Sequence, residues 1–269
     1  MAGILMWILY LWVSTTQSEG SENPSSVKIL VIGRTGSGKS TLINNILGRK
    51  IATVGHRPFP KTTKVSVYQE EIYDVNVTAC DTPGLQDATG QEEDYLNKIK
   101  VSCGDADLVV FCLSMDNVRW HNDDEEAIKA VTEHLGKEIW EHSVLVLTFA
   151  DKLVGNYPED QQMEIFNERI SDLKQKFQES LLKVGVLSDK IFSAVSAKGH
   201  KDLPGVSNWL TELMVTCLSQ TQESGKEGFR QIILQRMKFP EELDENDYNK
   251  PEYEQPLIFT ESLCSIMKL

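Results

Sequence analysis

Three short segments of the chain carry residue types that could jointly hold a phosphate chain and a divalent cation. The first is Gly33-Arg34-Thr35-Gly36-Ser37-Gly38-Lys39-Ser40, which matches the spacing G-x-x-x-x-G-K-[ST]. Its glycines let the backbone wrap close to phosphate oxygens with N–H groups pointing inward. Lys39 would reach the β- and γ-phosphates, and Ser40 would ligate Mg²⁺. Thr41, the next residue, is grouped with them. The second segment is Asp81-Thr82-Pro83-Gly84. An acid at the end of an apolar strand can hold Mg²⁺ directly or through water. Gly84 would offer its backbone N–H to the γ-phosphate, so this loop would sense whether that phosphate is present. The third is Lys61-Thr62-Thr63-Lys64. A threonine here can complete the Mg²⁺ shell and order a switch loop. Thr63 is the first choice and Thr62 the fallback, while either also reads as the β-branched start of a strand.

A fourth segment bears on the base. In Thr148-Phe149-Ala150-Asp151 the Asp151 carboxylate can accept two hydrogen bonds from guanine N1–H and N2–H₂, a donor pair that adenine lacks. The usual guanine pattern, Asn/Thr-Lys-x-Asp, has lysine where Phe149 stands, so Phe149 lies either against the base or in the core. Thr148 is counted with the nucleotide-binding set. Ser196-Ala197-Lys198 is placed to approach guanine O6 through backbone N–H groups. At Leu85, Ras-like switches carry the glutamine that positions the attacking water. An aliphatic side chain cannot do this, and Gln86 is one residue too late. Slow intrinsic hydrolysis follows, unless a dimer partner or another protein, for example through a trans-acting arginine, completes the site.

Regular elements must hold these segments. Val27–Ile32 reads as an apolar strand entering the glycine-rich loop. A helix from Thr41 to Leu47 leaves it and stops at Gly48, a natural left-handed cap. Val65–Tyr73 and Val75–Cys80 read as an antiparallel hairpin turning near Asp74. Leu108–Leu113 and Val144–Phe149 are continuous apolar runs, the mark of buried parallel strands, and Ile191–Val195 is a final strand. Ile128, Val131, Leu135 and Ile139 repeat with helical spacing, as do Met163, Phe166, Ile170, Leu173, Phe177 and Leu181. Ser207–Leu218 makes a closing helix. The expected fold is a three-layer α/β P-loop NTPase fold. Its mostly parallel sheet has about six strands with one antiparallel edge strand, and helices cover both faces. Ligand belongs at the carboxyl ends of the strands.

Composition narrows the function classes. A net charge of −13 argues against nucleic-acid binding and against broad adhesion to anionic lipid. The five cysteines form no C-x-x-C pair. Their odd count fits a reducing compartment, with Cys80 and Cys112 packing as small hydrophobes. The histidines show no metal spacing.

The expected domains are residues 1–26, an apolar run plus polar linker, 27–218, a nucleotide-binding domain, and 219–269, a C-terminal extension. Ile4–Val13 is shorter than the roughly 20 residues a spanning helix needs. A weak signal, a membrane-dipping anchor and an unstructured leader stay open, and cytosolic GTP and Mg²⁺ argue against secretion. Glu241–Glu254 reads as an acidic, largely disordered stretch. Leu257–Leu269 reads as a short apolar segment that docks, frays or binds a partner.

Taken together, G-R-T-G-S-G-K-S, K-T-T-K, D-T-P-G-L, T-F-A-D and S-A-K resemble a GTPase of the translation-factor-related class. From roughly Val27 to Leu218 the chain is most similar to the AIG-type G domains, the immunity-associated (GIMAP) GTPases and chloroplast Toc receptors, with septins more distant. Met115-Asp116-Asn117-Val118-Arg119 looks like the Toc D-x-Y-R segment, with Val118 in place of tyrosine. The resemblance implies GTP/GDP and Mg²⁺ as cofactors and nucleotide-dependent homodimers packed face to face, with Arg119 a candidate contact to the partner's site. Arg119 also reads as a surface charge beside Asp123-Asp124-Glu125-Glu126. The leading expectation is a cytoplasmic GTP-binding switch with slow turnover, an unidentified effector and scope for membrane association. A nucleotide-gated scaffold with negligible turnover and an ATPase are the alternatives.

Overall fold

The computed structural model describes residues 25–54, 66–82, 92–116, 120–187, 190–198, 203–206, 208–238 and 254–258. Thr62, Thr63, Gly84, Leu85, Gln86, Val118, Arg119, Ile4–Val13 and Cys264 lie outside these residues.

Strand β1 (Ser25–Gly33) buries Val27 and Ile29 through Ile32 almost completely. That continuous burial requires helices on both faces, which the apolar run anticipates. It feeds α1 (Lys39–Leu47), which ends at Gly48 in the left-handed region (φ 71°), with the Gly48 N–H donating to Asn44 O. Strands β2 (Ser66–Ile72) and β3 (Val75–Asp81) form the expected hairpin. Tyr73 and Asp74 both take positive φ at its turn, as a two-residue turn of right-handed twist demands. Helix α2 (Glu92–Cys103), β4 (Leu108–Ser114), α3 (Asn122–Leu135) and β5 (Ser143–Thr148) follow. Then come the short α4 (Ala150–Val154), the long α5 (Glu159–Lys183), β6 (Ser193–Val195) and α6 (Trp209–Gln220).

The sheet order is β2-β3-β1-β4-β5-β6. All neighbours are parallel except the β2–β3 pair. The three-layer fold with one antiparallel edge strand is thus the observed one.

Two periodicities are corrected. Ile139 does not continue α3: Gly136 (φ 94°) ends that helix, and Ile139 lies in a 3₁₀ turn, Glu138–His142. Met163 is 49 % exposed rather than part of the buried stripe of α5, which begins at Phe166. Under α5, Phe177 meets Phe111 at 5.1 Å and Trp140 at 5.9 Å between ring centres.

The segment beyond Leu218 contributes a further helix, α7 (Glu223–Arg236), with Phe229, Ile232 and Ile233 fully buried. Strand β7 (Met237–Lys238) then pairs in parallel with β8 (Leu257–Ile258). Leu257 is fully buried, and Thr211 of α6 bonds the backbone of Ile258. No helix among the described residues is long and apolar enough to cross a membrane.

Candidate functional site

The glycine-rich loop joins the buried end of β1 to α1. Gly33 sits at φ 150°, and a Cβ there would meet Cys112 O at 2.5 Å. Only glycine lets β1 end this close to β4. The Ser37 N–H donates to Arg34 O (3.1 Å) and closes the loop. Lys39, 7 % exposed, folds its ammonium over the loop, donating to Gly33 O (2.9 Å) and Arg34 O (2.8 Å). A cation is therefore held against two backbone carbonyls of the loop.

Ser40 and Asp81 come from adjacent elements, the first turn of α1 and the end of β3. The Ser40 hydroxyl donates to Asp81 Oδ2 at 2.5 Å. Asp81 is 1 % exposed, and its Oδ1 has no hydrogen-bond partner among the described residues. Burial raises its pKa above the usual carboxylate value, against the Ser40 hydrogen bond and the Lys39 charge, which lower it. A hydroxyl and a carboxylate with an unmatched buried oxygen are a donor set that suits a hard divalent cation. Thr82 anchors the strand end, its hydroxyl donating to Val31 O (3.0 Å). Thr41 is half-buried in the first turn of α1.

At the other end of the crevice, Asp151 Oδ1 accepts the backbone N–H of Lys198 at 3.1 Å. Ala150 N–H donates to Ser196 O, and Ser196 N–H to Leu147 O. Asp151 and Ser196-Ala197-Lys198, 45 or more residues apart in sequence, thus form one loop cluster. The Thr148 hydroxyl is buried and shared between Ser37 O (2.9 Å) and Leu113 O (3.1 Å). It braces the phosphate loop against β4 and β5. Phe149 is half-buried at φ 58°, with its ring tip beside Gly38.

Arg34 makes a 3.4 Å ion pair with Asp123 at the start of α3. Beside it lies a polar cavity of about 230 Å³, bordered by Arg34, Thr35, Ser37, Trp120, Asp124 and Phe149. Asp124 is buried, which raises its pKa, while the His121 N–H and the Arg34 charge lower it.

One expectation fails here. Cys80 is not a free thiol: it forms a disulfide with Cys103, at the end of α2. The odd count misled because pairing depends on which two cysteines the hairpin and α2 bring together. Cys112 and Cys217 are buried free thiols, and burial pushes Cys112 up to about 12. Sequence reasoning also missed Asn44. Its side chain accepts from Ile51 and Ala52 N–H and donates to Ala52 O, holding the chain after α1.

A strand, glycine-rich loop and helix feeding a parallel sheet, with Lys39, Ser40 and Asp81 convergent at its carboxyl edge, define a P-loop nucleotide-binding fold. The chain belongs to the AIG1 family, whose model matches residues 27–185. Translocase of chloroplast 33 of Arabidopsis thaliana is 26 % identical over 205 residues, 71 % of this chain and 67 % of that protein. Translocase of chloroplast 159 of the same plant is 25 % identical over 76 % of this chain, which spans only 15 % of its length. Solved Toc33 in complex with GDP and Mg²⁺ superposes with a TM-score of 0.56 at 21 % identity, covering 78 % of this chain and 88 % of that one. A solved chain from the translocon components atToc33 and psToc159, for whose GTPase activity dimerization is important, gives 0.60 at 21 % identity, over 80 % and 89 %.

Proposed function

We propose that the chain is a Mg²⁺-dependent GTP-binding switch that hydrolyses GTP to GDP slowly and is completed by dimerisation or by a partner protein. One observation carries it: the Ser40 hydroxyl donates to the buried Asp81 carboxylate, whose second oxygen has no partner among the described residues, beside the P-loop lysine. Lys39 and the N–H groups of residues 33–41 hold the β- and γ-phosphates. Ser40 and Asp81, with Thr63, hold the metal, and Gly84 reads the γ-phosphate. Mg²⁺ held there would supply charge neutralisation on the phosphate chain. Asp151 reads the guanine N1–H and N2–H₂, with Ser196, Ala197 and Lys198 flanking O6. The 3.1 Å bond from Lys198 N–H holds the Asp151 carboxylate in place for that task. Thr148 acts behind the loop as a brace. Arg119 is assigned to a partner's site in a homodimer. The relatives' GDP, Mg²⁺ and dimerisation support these assignments. We place the protein in the cytoplasm, with scope for membrane association and an effector protein of unknown identity.

The test is titration of a fluorescent GDP analogue with and without Mg²⁺, with ATP as competitor, followed by phosphate release at several protein concentrations. Saturable, Mg²⁺-strengthened binding that ATP does not displace is expected, with a rate per molecule that rises with concentration. Equal displacement by ATP would remove the guanine assignment. No release at any concentration would leave a nucleotide-gated scaffold instead of an enzyme.

A further inference from the structure

The C-terminal helix and the phosphate-binding helix meet at one side chain. Arg236, the last residue of α7, is 6 % exposed. Its Nη1 donates to Asn45 O (2.6 Å) and Ile46 O (2.8 Å) in the last turn of α1. Its Nη2 donates to Gln255 O (3.2 Å), in the segment that leads into β8. The last carbonyls of a helix have no donor of their own and carry the negative end of its dipole. A guanidinium, planar and rich in donors, answers both needs at once. Burial lowers its pKa to about 10, so it stays charged at neutral pH. Gly48 makes the room: a Cβ there would lie 2.7 Å from Arg236 Nε.

The other end of α1 carries Lys39 and Ser40. Nine residues make a rod about 13 Å long, and fixing one end of a rod that short fixes the direction of the other. The same α7 also grips β1, the strand that enters the P-loop. Asp107 Oδ2 accepts the Lys28 N–H (2.7 Å) and Asp107 Oδ1 accepts the Ser224 hydroxyl (2.5 Å). Gly225 and Gly228 let the helix lie against Asp107 and the Ser26 carbonyl. One helix therefore braces both limbs of the phosphate loop.

We propose that Arg236 is a positioning residue for nucleotide binding, setting the direction of α1 and coupling residues 254–258 to the phosphate site. The inference rests on the reading of Gly33–Ser40 as a phosphate site. Arg236 does not touch nucleotide; it acts through α1. Coupling of this kind is reciprocal, so nucleotide must tighten the Arg236 contacts as much as they tighten nucleotide.

The test uses the full chain. In Arg236→Met, affinity for a fluorescent GDP analogue with Mg²⁺ should fall about tenfold, with Arg236→Lys in between because it keeps charge but loses the fork. Affinity of the folded variants within about twofold of wild type, beside a lowered melting temperature, means a structural role only and overturns the proposal. In the wild-type chain, Mg²⁺–GDP should slow amide exchange at residues 230–238 and 254–258 more than at residues 173–183 of α5. Equal or absent protection overturns it even if neither variant folds. A wild-type chain that binds no guanine nucleotide would overturn the functional reading and this inference with it. Binding without the coupling overturns this inference alone.

Discussion

The Lys152 ammonium lies 4.0 Å from the centre of the Phe149 ring. Phe149 thus occupies the position of the guanine-motif lysine, while a lysine one helical turn later covers its ring. The same ammonium pairs with Asp116 at 3.3 Å, after β4. Ring, cation and carboxylate tie the base-side loop to the end of β4.

Phe149→Ala should therefore weaken guanine nucleotide binding by about three- to tenfold, since the ring contact at Gly38 and a cation–π contact of roughly 0.5–1 kcal/mol are lost together. Titration of a fluorescent GDP analogue measures it. Unchanged affinity would mean that the ring serves packing alone.

Asp151→Asn exchanges an acceptor pair for one acceptor and one donor. Loss of charge-assisted hydrogen bonds worth about 1.5–3 kcal/mol should weaken GTP by roughly tenfold to a hundredfold. Xanthosine nucleotide should bind the variant better than GTP does. Competition between the two nucleotides decides it, and an unaltered preference for GTP would remove Asp151 as the guanine reader.

Asp81 is burdened by its own burial. Its folded-state pKa lies above the unfolded value, so the folded protein holds the proton more tightly. Stability from this group is then full below the ordinary carboxylate value and is lost as pH rises through the raised one. Mg²⁺ needs the carboxylate, so its effect on nucleotide affinity should grow over that same rise. Asp81→Asn should melt no lower than wild type without nucleotide at neutral pH, yet lose the Mg²⁺ dependence of binding. Calorimetry and titration with and without chelator check the two halves, and a retained Mg²⁺ dependence would sink the metal assignment.

The Cys80–Cys103 bond closes a loop with a sequence separation of 23 that contains Asp81. In the chain-entropy account, a cross-link of this span adds about 3 kcal/mol. Reduction, or Cys103→Ala, should lower the urea midpoint accordingly. Coincident unfolding curves with and without reductant would show that the bond contributes nothing.

Much of this architecture was legible because its signals are local. Gly33–Ser40 needs only eight consecutive residues to define a cradle. The turn at Asp74 and the Gly48 cap follow from backbone preferences at single positions, since aspartate and glycine tolerate positive φ. Continuous apolar runs in β1, β4 and β5 announce burial on both faces. The end of α3 was less legible, because Gly136 interrupts an apolar repeat that otherwise continues to Ile139.

By itself, the sequence determined the strands of the main sheet and the phosphate loop, and it marked Ser40, Asp81 and Asp151 as candidates at strand and helix ends, but it gave no periodic signal for α2, α4 or α7. Only the tertiary structure decided which distant groups meet: Cys80 with Cys103, Ser40 with Asp81, and Arg236 with the carbonyls of Asn45 and Ile46 across 190 or more residues. Local pattern encodes burial and backbone conformation. A partner across the fold leaves no periodic trace, because its choice depends on how whole elements pack.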